Sequence, residues 1–99
     1  MYVGIFKEPL LFDWNKGNID KNLKHDVTDR EAEEAFFDNK KRTFKDKLHS
    51  KSEERFRIVG KTKEGRLLFI AFTIRNERIR IISARDISKK EVKLYEEKT

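Results

Sequence analysis

Apolar and polar residues alternate with a period of two from Arg55 to Gly60, where Phe56 and Ile58 oppose Arg55, Arg57 and Val59. The same period returns from Arg78 to Ala84, where Ile79, Ile81 and Ser83 oppose Arg78, Arg80 and Ile82. Successive side chains of a strand point to opposite faces, so both stretches read as half-buried strands. Between them Leu67 to Ile74 is apolar on both faces and belongs inside a sheet. Arg42 to Lys47, with Phe44 as its one apolar anchor, is the weakest candidate strand. Gly65 and Asn76 stand where hairpin turns require positive φ, and an antiparallel meander follows.

The period changes on either side of the meander. Leu10, Leu11, Phe12 and Trp14 suggest a short first strand, after which Asn15, Gly17 and Asn18 open a polar helix running to about His25. At helical spacing Ile19 and Leu23 share one side, and Asn18, Lys21, Asn22 and His25 another. Thr28-Asp29-Arg30-Glu31 is a capping box, in which the hydroxyl accepts from the third helical N–H and the Glu reaches back to the cap. Val27 and Ala32 form its staple, and this second helix buries Ala32, Ala35 and Phe36 before ending near Asn39. Ser88-Lys89-Lys90-Glu91, stapled by Ile87 and Val92, starts a last helix that buries Val92 and Tyr95 and frays into the charged C-terminus. The expected fold class is α+β: two N-terminal helices, an antiparallel meander and a C-terminal helix.

Composition narrows what such a fold does. Ninety-nine residues make a single domain, 1–99, with no linker, repeat or low-complexity tract. With 42% charged and 36% hydrophobic residues, the core is small and long polar side chains cover the surface. No apolar run reaches the roughly 20 residues that span a bilayer, and the N-terminus lacks the basic-then-apolar order of a secretion signal. A cytoplasmic protein with no membrane partner is expected. The absence of cysteine removes disulfides, thiolate metal sites and cysteine nucleophiles, and leaves His25 and His49 as the only imidazoles. There is no Gly-rich phosphate loop, paired-acid metal motif or nucleophile elbow, so neither metal nor cofactor is expected. A net charge of +6, from 24 basic and 18 acidic residues, favours a polyanionic partner, nucleic acid before acidic membrane.

The informative cations are the arginines embedded in apolar strands, because partial burial beside Ile and Phe is unfavourable unless a carboxylate or phosphate compensates. Alternation lets several of them project from one sheet face, which makes a phosphate-binding surface. Arg80 and Arg85 lead this set, with ion pairs to residues such as Glu91 or Asp86 as the structural alternative. The Lys40 to Lys51 run reads as a solvated edge. His25, grouped with Lys21 and Asn18 on the polar helix face, is a candidate proton carrier or phosphate donor and equally a helix C-cap. His49 reads as a residue of a mobile polar loop, and Tyr95 as a packing residue with its hydroxyl at the surface.

Several of these residues occur together in a known order. Phe12-Asp13-Trp14, Lys24-His25 with Val27, Glu31-Ala32, Glu54-Arg55-Phe56 leading to Gly60, Gly65-Arg66, and Arg80-Ile81-Ile82-Ser83-Ala84-Arg85 with Glu91 and Tyr95 resemble the BrnT family of bacterial type II toxins, from about Leu10 to Glu96. The family commonly has Asp after the Trp and Gly after the Lys-His, where this chain has Asn15 and Asp26. The resemblance implies a RelE-like α+β fold and ribonuclease activity that arrests translation. It also implies a BrnA-type antitoxin whose ribbon-helix-helix region carries the complex to operator DNA. With RNA as substrate the expected enzyme is a metal-independent endoribonuclease, because the 2′-OH supplies the nucleophile. Arg66, Arg80 and Arg85 are then the expected phosphate and transition-state contacts, His25 or Lys24 the proton-handling or orienting groups, and Lys21, Arg55, Arg78 and Tyr95 further RNA contacts. The rival reading is a non-catalytic basic module that binds RNA, DNA or a ribosomal surface. Residues 1–9 precede the region of resemblance and carry no functional reading.

Overall fold

The computed structural model describes residues 5–96. Four strands, β1 (Arg42–Asp46), β2 (Arg55–Lys61), β3 (Leu67–Arg75) and β4 (Arg78–Asp86), form one antiparallel sheet in the order β1-β2-β3-β4. Gly65, at φ 89°, turns β2 into β3. Asn76 and Glu77, at φ 50° and 66°, make the two-residue turn into β4 whose mirror-image twist suits a hairpin.

The helices depart from expectation, and with them the RelE-like arrangement of two N-terminal helices and a C-terminal helix. In place of the first helix only a 3₁₀ turn forms, Lys21–His25, bounded by Asp20 and Asp26, both left-handed at φ 57° and 58°. Two left-handed residues this close leave no room for an α-helix. The amide side chains expected on its polar face bond to β4 instead. Asn22 Oδ1 accepts from the Ala84 N–H at 2.8 Å, and Asn18 Nδ2 donates to the carbonyls of Asp13 and Ile81 at 2.9 and 3.1 Å. Asn competes for backbone groups in this way, which weakens a helix and here covers a sheet edge. The expected first strand is likewise reduced to one parallel bridge, Phe12 to Ile79, flanked by the bonds Ile79 N–H to Leu11 O and Asp13 N–H to Ile79 O.

The second helix, α1 (Asp29–Ala35), starts from the capping box at Thr28 but stops before Asn39. The N–H groups of Phe36, Phe37 and Asp38 turn to carbonyls three residues back and tighten its end. At the C-terminus α2 (Val92–Glu96) is little more than one turn. The charged end expected to fray, 97–99, lies outside the described residues, as does 1–4.

One sheet face carries the core, where Phe56, Ile58, Leu68, Ile70, Phe72, Ile79, Ile81 and Ala84 meet Val27, Ala32, Ala35 and Phe36. The Phe36 and Phe72 rings meet edge-on at 5.0 Å, and Phe6 and Phe12 pack onto them. Gly60 permits this approach, since a Cβ there would lie 2.4 Å from the Ala35 carbonyl oxygen. No helix among the described residues is long and apolar enough to cross a membrane.

β4 breaks its alternation once. Ser83 pairs with Ala71 while Ile81 pairs with Phe72, so Ile82 is an extra residue, a β-bulge. Ile79 and Ile81 face the core before it and Ala84 after it. Ser83, expected on the apolar face, is turned to the opposite side together with Arg85.

Candidate functional site

The second face of the sheet is built from rows of paired residues. Asp46, Arg55, Thr73 and Arg80 form one row across the four strands. Phe44, Arg57, Ala71 and Ser83 form the next, then Arg42, Val59, Phe69 and Arg85, while Arg75 faces Arg78 at the hairpin. Alternation in β2 supplies Arg55 and Arg57, and the bulge at Ile82 supplies Arg85 beside Arg80. Val59 and Phe69 pair within this face, and α2 packs against β2, with Lys61 Nζ over the Tyr95 ring at 5.7 Å. Val59 is fully buried outside the main core, and the guanidinium groups of Arg57 and Arg85 lie over the Phe69 ring at 5.3 and 4.5 Å.

Carboxylates are threaded between the cations. Arg85 donates through Nη1 and Nη2 to Glu91, at 2.9 and 2.8 Å. That guanidinium, opposed by burial and helped by the Ser88 N–H, holds the Glu91 carboxyl at about 2. Arg75 grips Glu53 through two bonds, and Arg57 Nε donates to Asp46 at 3.0 Å. Arg80 Nη2 donates to Asn15 Oδ1 at 3.1 Å; its buried Nη1 has Asp13 at 3.6 Å but makes no hydrogen bond. Gly17 leaves room for this side chain, because a Cβ there would lie 2.7 Å from Arg80 Nη2. Arg55 and Arg78 have no carboxylate in direct contact among the described residues.

The remaining expected residues lie elsewhere. Lys21, Lys24 and His25 are exposed on the 3₁₀ turn beside β4, and the side chains of Lys24 and His25 make no hydrogen bond or ion pair among the described residues. Every guanidinium N–H of Arg66 has a protein acceptor: Asp86, Glu31 and the carbonyls of His25 and Asp26. Asp86 first, against burial and with Glu31, raises the Arg66 pKa further above its ordinary value. Tyr95 donates its hydroxyl to Asp38 at 2.7 Å, and burial together with that carboxylate pushes it up to about 12. The structure therefore unites Arg55, Arg78, Arg80 and Arg85 on one face, sets Lys21, Lys24 and His25 at its β4 margin, and commits Arg66 and the Tyr95 hydroxyl to protein partners.

Arg42 and Arg57 share the face although the sequence reading passed over them; their alternation with apolar neighbours was the available signal. Asp46 was not singled out, and His49, three residues on, was read as part of a mobile polar loop. The Asp46 carboxylate accepts from the His49 backbone N–H at 3.3 Å and lies 3.0 Å from ring Nδ1. Among the described residues no group of three or more His, Asp or Glu is placed to hold a metal ion.

No curated protein sequence matches the chain. Residues 14–91, which include all four strands, the capping box and the Arg85–Glu91 pair, match the family described as the ribonuclease toxin, BrnT, of type II toxin–antitoxin systems, and to that family the chain belongs.

Proposed function

We propose that the arginine face is where this toxin binds and cuts RNA, acting as a metal-independent endoribonuclease that stops translation. Membership of a ribonuclease toxin family brings an RNA substrate and an antitoxin partner. The observation that supports this face is that register and the β4 bulge bring Arg55, Arg57, Arg80 and Arg85, from two different hairpins, to one side of the sheet. RNA supplies its own nucleophile. The 2′-oxygen attacks the adjacent phosphorus, the P–O5′ bond breaks, and a 2′,3′-cyclic phosphate and a 5′-hydroxyl remain. Alignment of these atoms and stabilisation of the extra negative charge are left to the protein.

Arg80 and Arg85 are assigned to the phosphate and its transition state, where phosphate replaces Glu91 on Arg85. Arg55, Arg78 and Lys21 take flanking phosphates, and the Tyr95 ring, its hydroxyl held by Asp38 and Lys61 Nζ over it at 5.7 Å, offers its remaining surface for stacking. His25 or Lys24 handles a proton at the β4 margin. Arg66 acts as a positioning residue, because its bonds to the carbonyls of His25 and Asp26 hold that margin in place. The proposed partner is a BrnA-like antitoxin with a ribbon-helix-helix region, acidic where it covers the arginines, whose complex with the toxin binds operator DNA.

Incubation with free and ribosome-bound RNA in excess EDTA tests the chemistry. Cyclic or 3′-phosphate and 5′-hydroxyl ends are expected. Ends with 5′-phosphate mean attack by water and a metal; RNA binding without cleavage means a non-catalytic basic module. Hydrogen exchange of free and antitoxin-bound toxin tests the occlusion, with protection expected over 78–85.

A further inference from the structure

Nothing among the described residues orients the side chains of His25 and Lys24 at the β4 margin. The opposite margin of the same face holds an imidazole that is oriented. His49 follows β1, and its Nδ1 lies 3.0 and 3.2 Å from the two Asp46 carboxylate oxygens. Asp46 is itself fixed: it is nearly buried, its Oδ2 also accepts from Arg57 Nε at 3.0 Å, and it stands in the row with Arg55 and Arg80. Burial alone would raise the Asp46 pKa, yet the bonds from Arg57 and His49 outweigh it and lower the value, so the carboxylate is charged. The loop is stapled as well, since Ser50 Oγ donates to the Asp46 carbonyl at 2.6 Å and accepts from the Arg55 N–H at 2.9 Å.

This arrangement has chemical consequences. With Nδ1–H given to Asp46, the lone pair of the imidazole resides on Nε2, and the side chain is 51% exposed. Arg57 spends only Nε on Asp46; its Nη1 and Nη2 have no hydrogen-bond acceptor among the described residues. An oriented base and an arginine with unused donors thus meet at one carboxylate, at the edge of the surface assigned to RNA.

We propose that His49 is the catalytic base that takes the 2′-OH proton, with Asp46 as its positioning residue and Arg57 as the contact to the scissile phosphate, which moves the cut to the β1 side of the face and leaves Arg80 and Arg85 to neighbouring phosphates of the same strand, a proposal that rests on RNA lying on the arginine face. His49 Nε2 accepts the proton as the 2′-oxygen bonds to phosphorus. The P–O5′ bond breaks with its electron pair on O5′, which takes a proton from water, and the imidazolium then returns its own proton to solvent.

The test is cleavage of a short RNA oligonucleotide containing one cut site, with kcat and RNA binding measured separately for the parent protein and for His49→Gln, His49→Gly, Arg57→Ala, His25→Gln and Arg85→Ala. His49→Gln is expected to lose about 100-fold or more in kcat while binding RNA as the parent does. Added imidazole is expected to restore part of the His49→Gly activity, which a loop-holding role would not allow, and Arg57→Ala to weaken binding. If His49→Gln cuts at the parental rate while Arg85→Ala is inactive, or if His25→Gln alone carries the loss, the proposal is overturned and the ribonuclease assignment stands. A parent protein that cuts no RNA overturns that assignment too, before any variant is made.

Discussion

On one face of the sheet Phe56, Ile58, Ile70 and Phe72 disappear beneath α1 and the N-terminal phenylalanines; on the other, the guanidinium groups of Arg57 and Arg85 lie over the Phe69 ring while their own side chains stay 37% and 42% exposed. The same strands build both. The first face excludes water by closing apolar surface against apolar surface. The second sets arginines over an aromatic ring and threads carboxylates between them, so that charged groups stay at its surface. The difference separates two uses of one sheet: groups on the first face hold the fold, while the second keeps guanidinium groups partly exposed, Arg57, Arg75 and Arg85 each beside a carboxylate.

The largest effect should come from the first face. Phe72→Ala removes a fully buried ring packed against Phe6, Phe36 and Phe56, and is expected to cost about 3–5 kcal/mol in urea unfolding. Arg85→Ala should show the reverse pattern. Cleavage is expected to fall roughly 10²–10³-fold, while unfolding shifts by no more than about 2 kcal/mol, since Glu91 keeps the Ser88 N–H. An Arg85→Ala protein that unfolds would show that the two faces are not separable. Gly60→Ala, which drives a Cβ into the Ala35 carbonyl, should cost about 1–3 kcal/mol in the same unfolding measurement. Thr28→Ala, which removes the α1 cap, should cost about 1 kcal/mol. Smallest is the acid response of the Arg85–Glu91 pair. The Glu91 pKa is depressed from its ordinary 4.5 to about 2, so the pair's stabilisation is fully present above pH 4.5 and is lost as the pH falls toward 2. Hydrogen exchange in α2 should quicken across that window.

The strands were legible because period-two alternation is enforced by burial on one side only, and Arg55, Phe56, Arg57 and Ile58 obey it residue by residue. What the period cannot show is an inserted residue. The bulge at Ile82 reverses the facing of everything after it, so Ser83 was read onto the wrong side from the same letters that placed Ile79 and Ile81 correctly. The first helix failed for a different reason: Asn18 and Asn22 find their partners on β4, far away in sequence, and no local pattern reveals that choice. Arg80 and Arg85 could be singled out from their apolar neighbours, and Glu91 was named among their ion-pair partners, which Arg85 bears out; the Asn15 acceptor of Arg80, far away in sequence, could not be foreseen. His49 was set aside because a polar loop reads as mobile; the Asp46 carboxylate that holds it becomes visible only when the strand end is placed.

The bonds that cover β4 also impose an order in time. Asn22 to Ala84 and Arg80 to Asn15 join residues 62 and 65 positions apart, while the three hairpins of the meander close over short turns. Closing a long loop costs more chain entropy than closing a short one, so the hairpins form first and the segment from Leu11 to His25 docks afterwards. That segment leaves the ribosome before the meander does, yet its partners do not exist until β4 has been made. A growing chain therefore has neither a covered sheet edge nor a seated Arg80, and the arginine face is completed only after the last strand has been made.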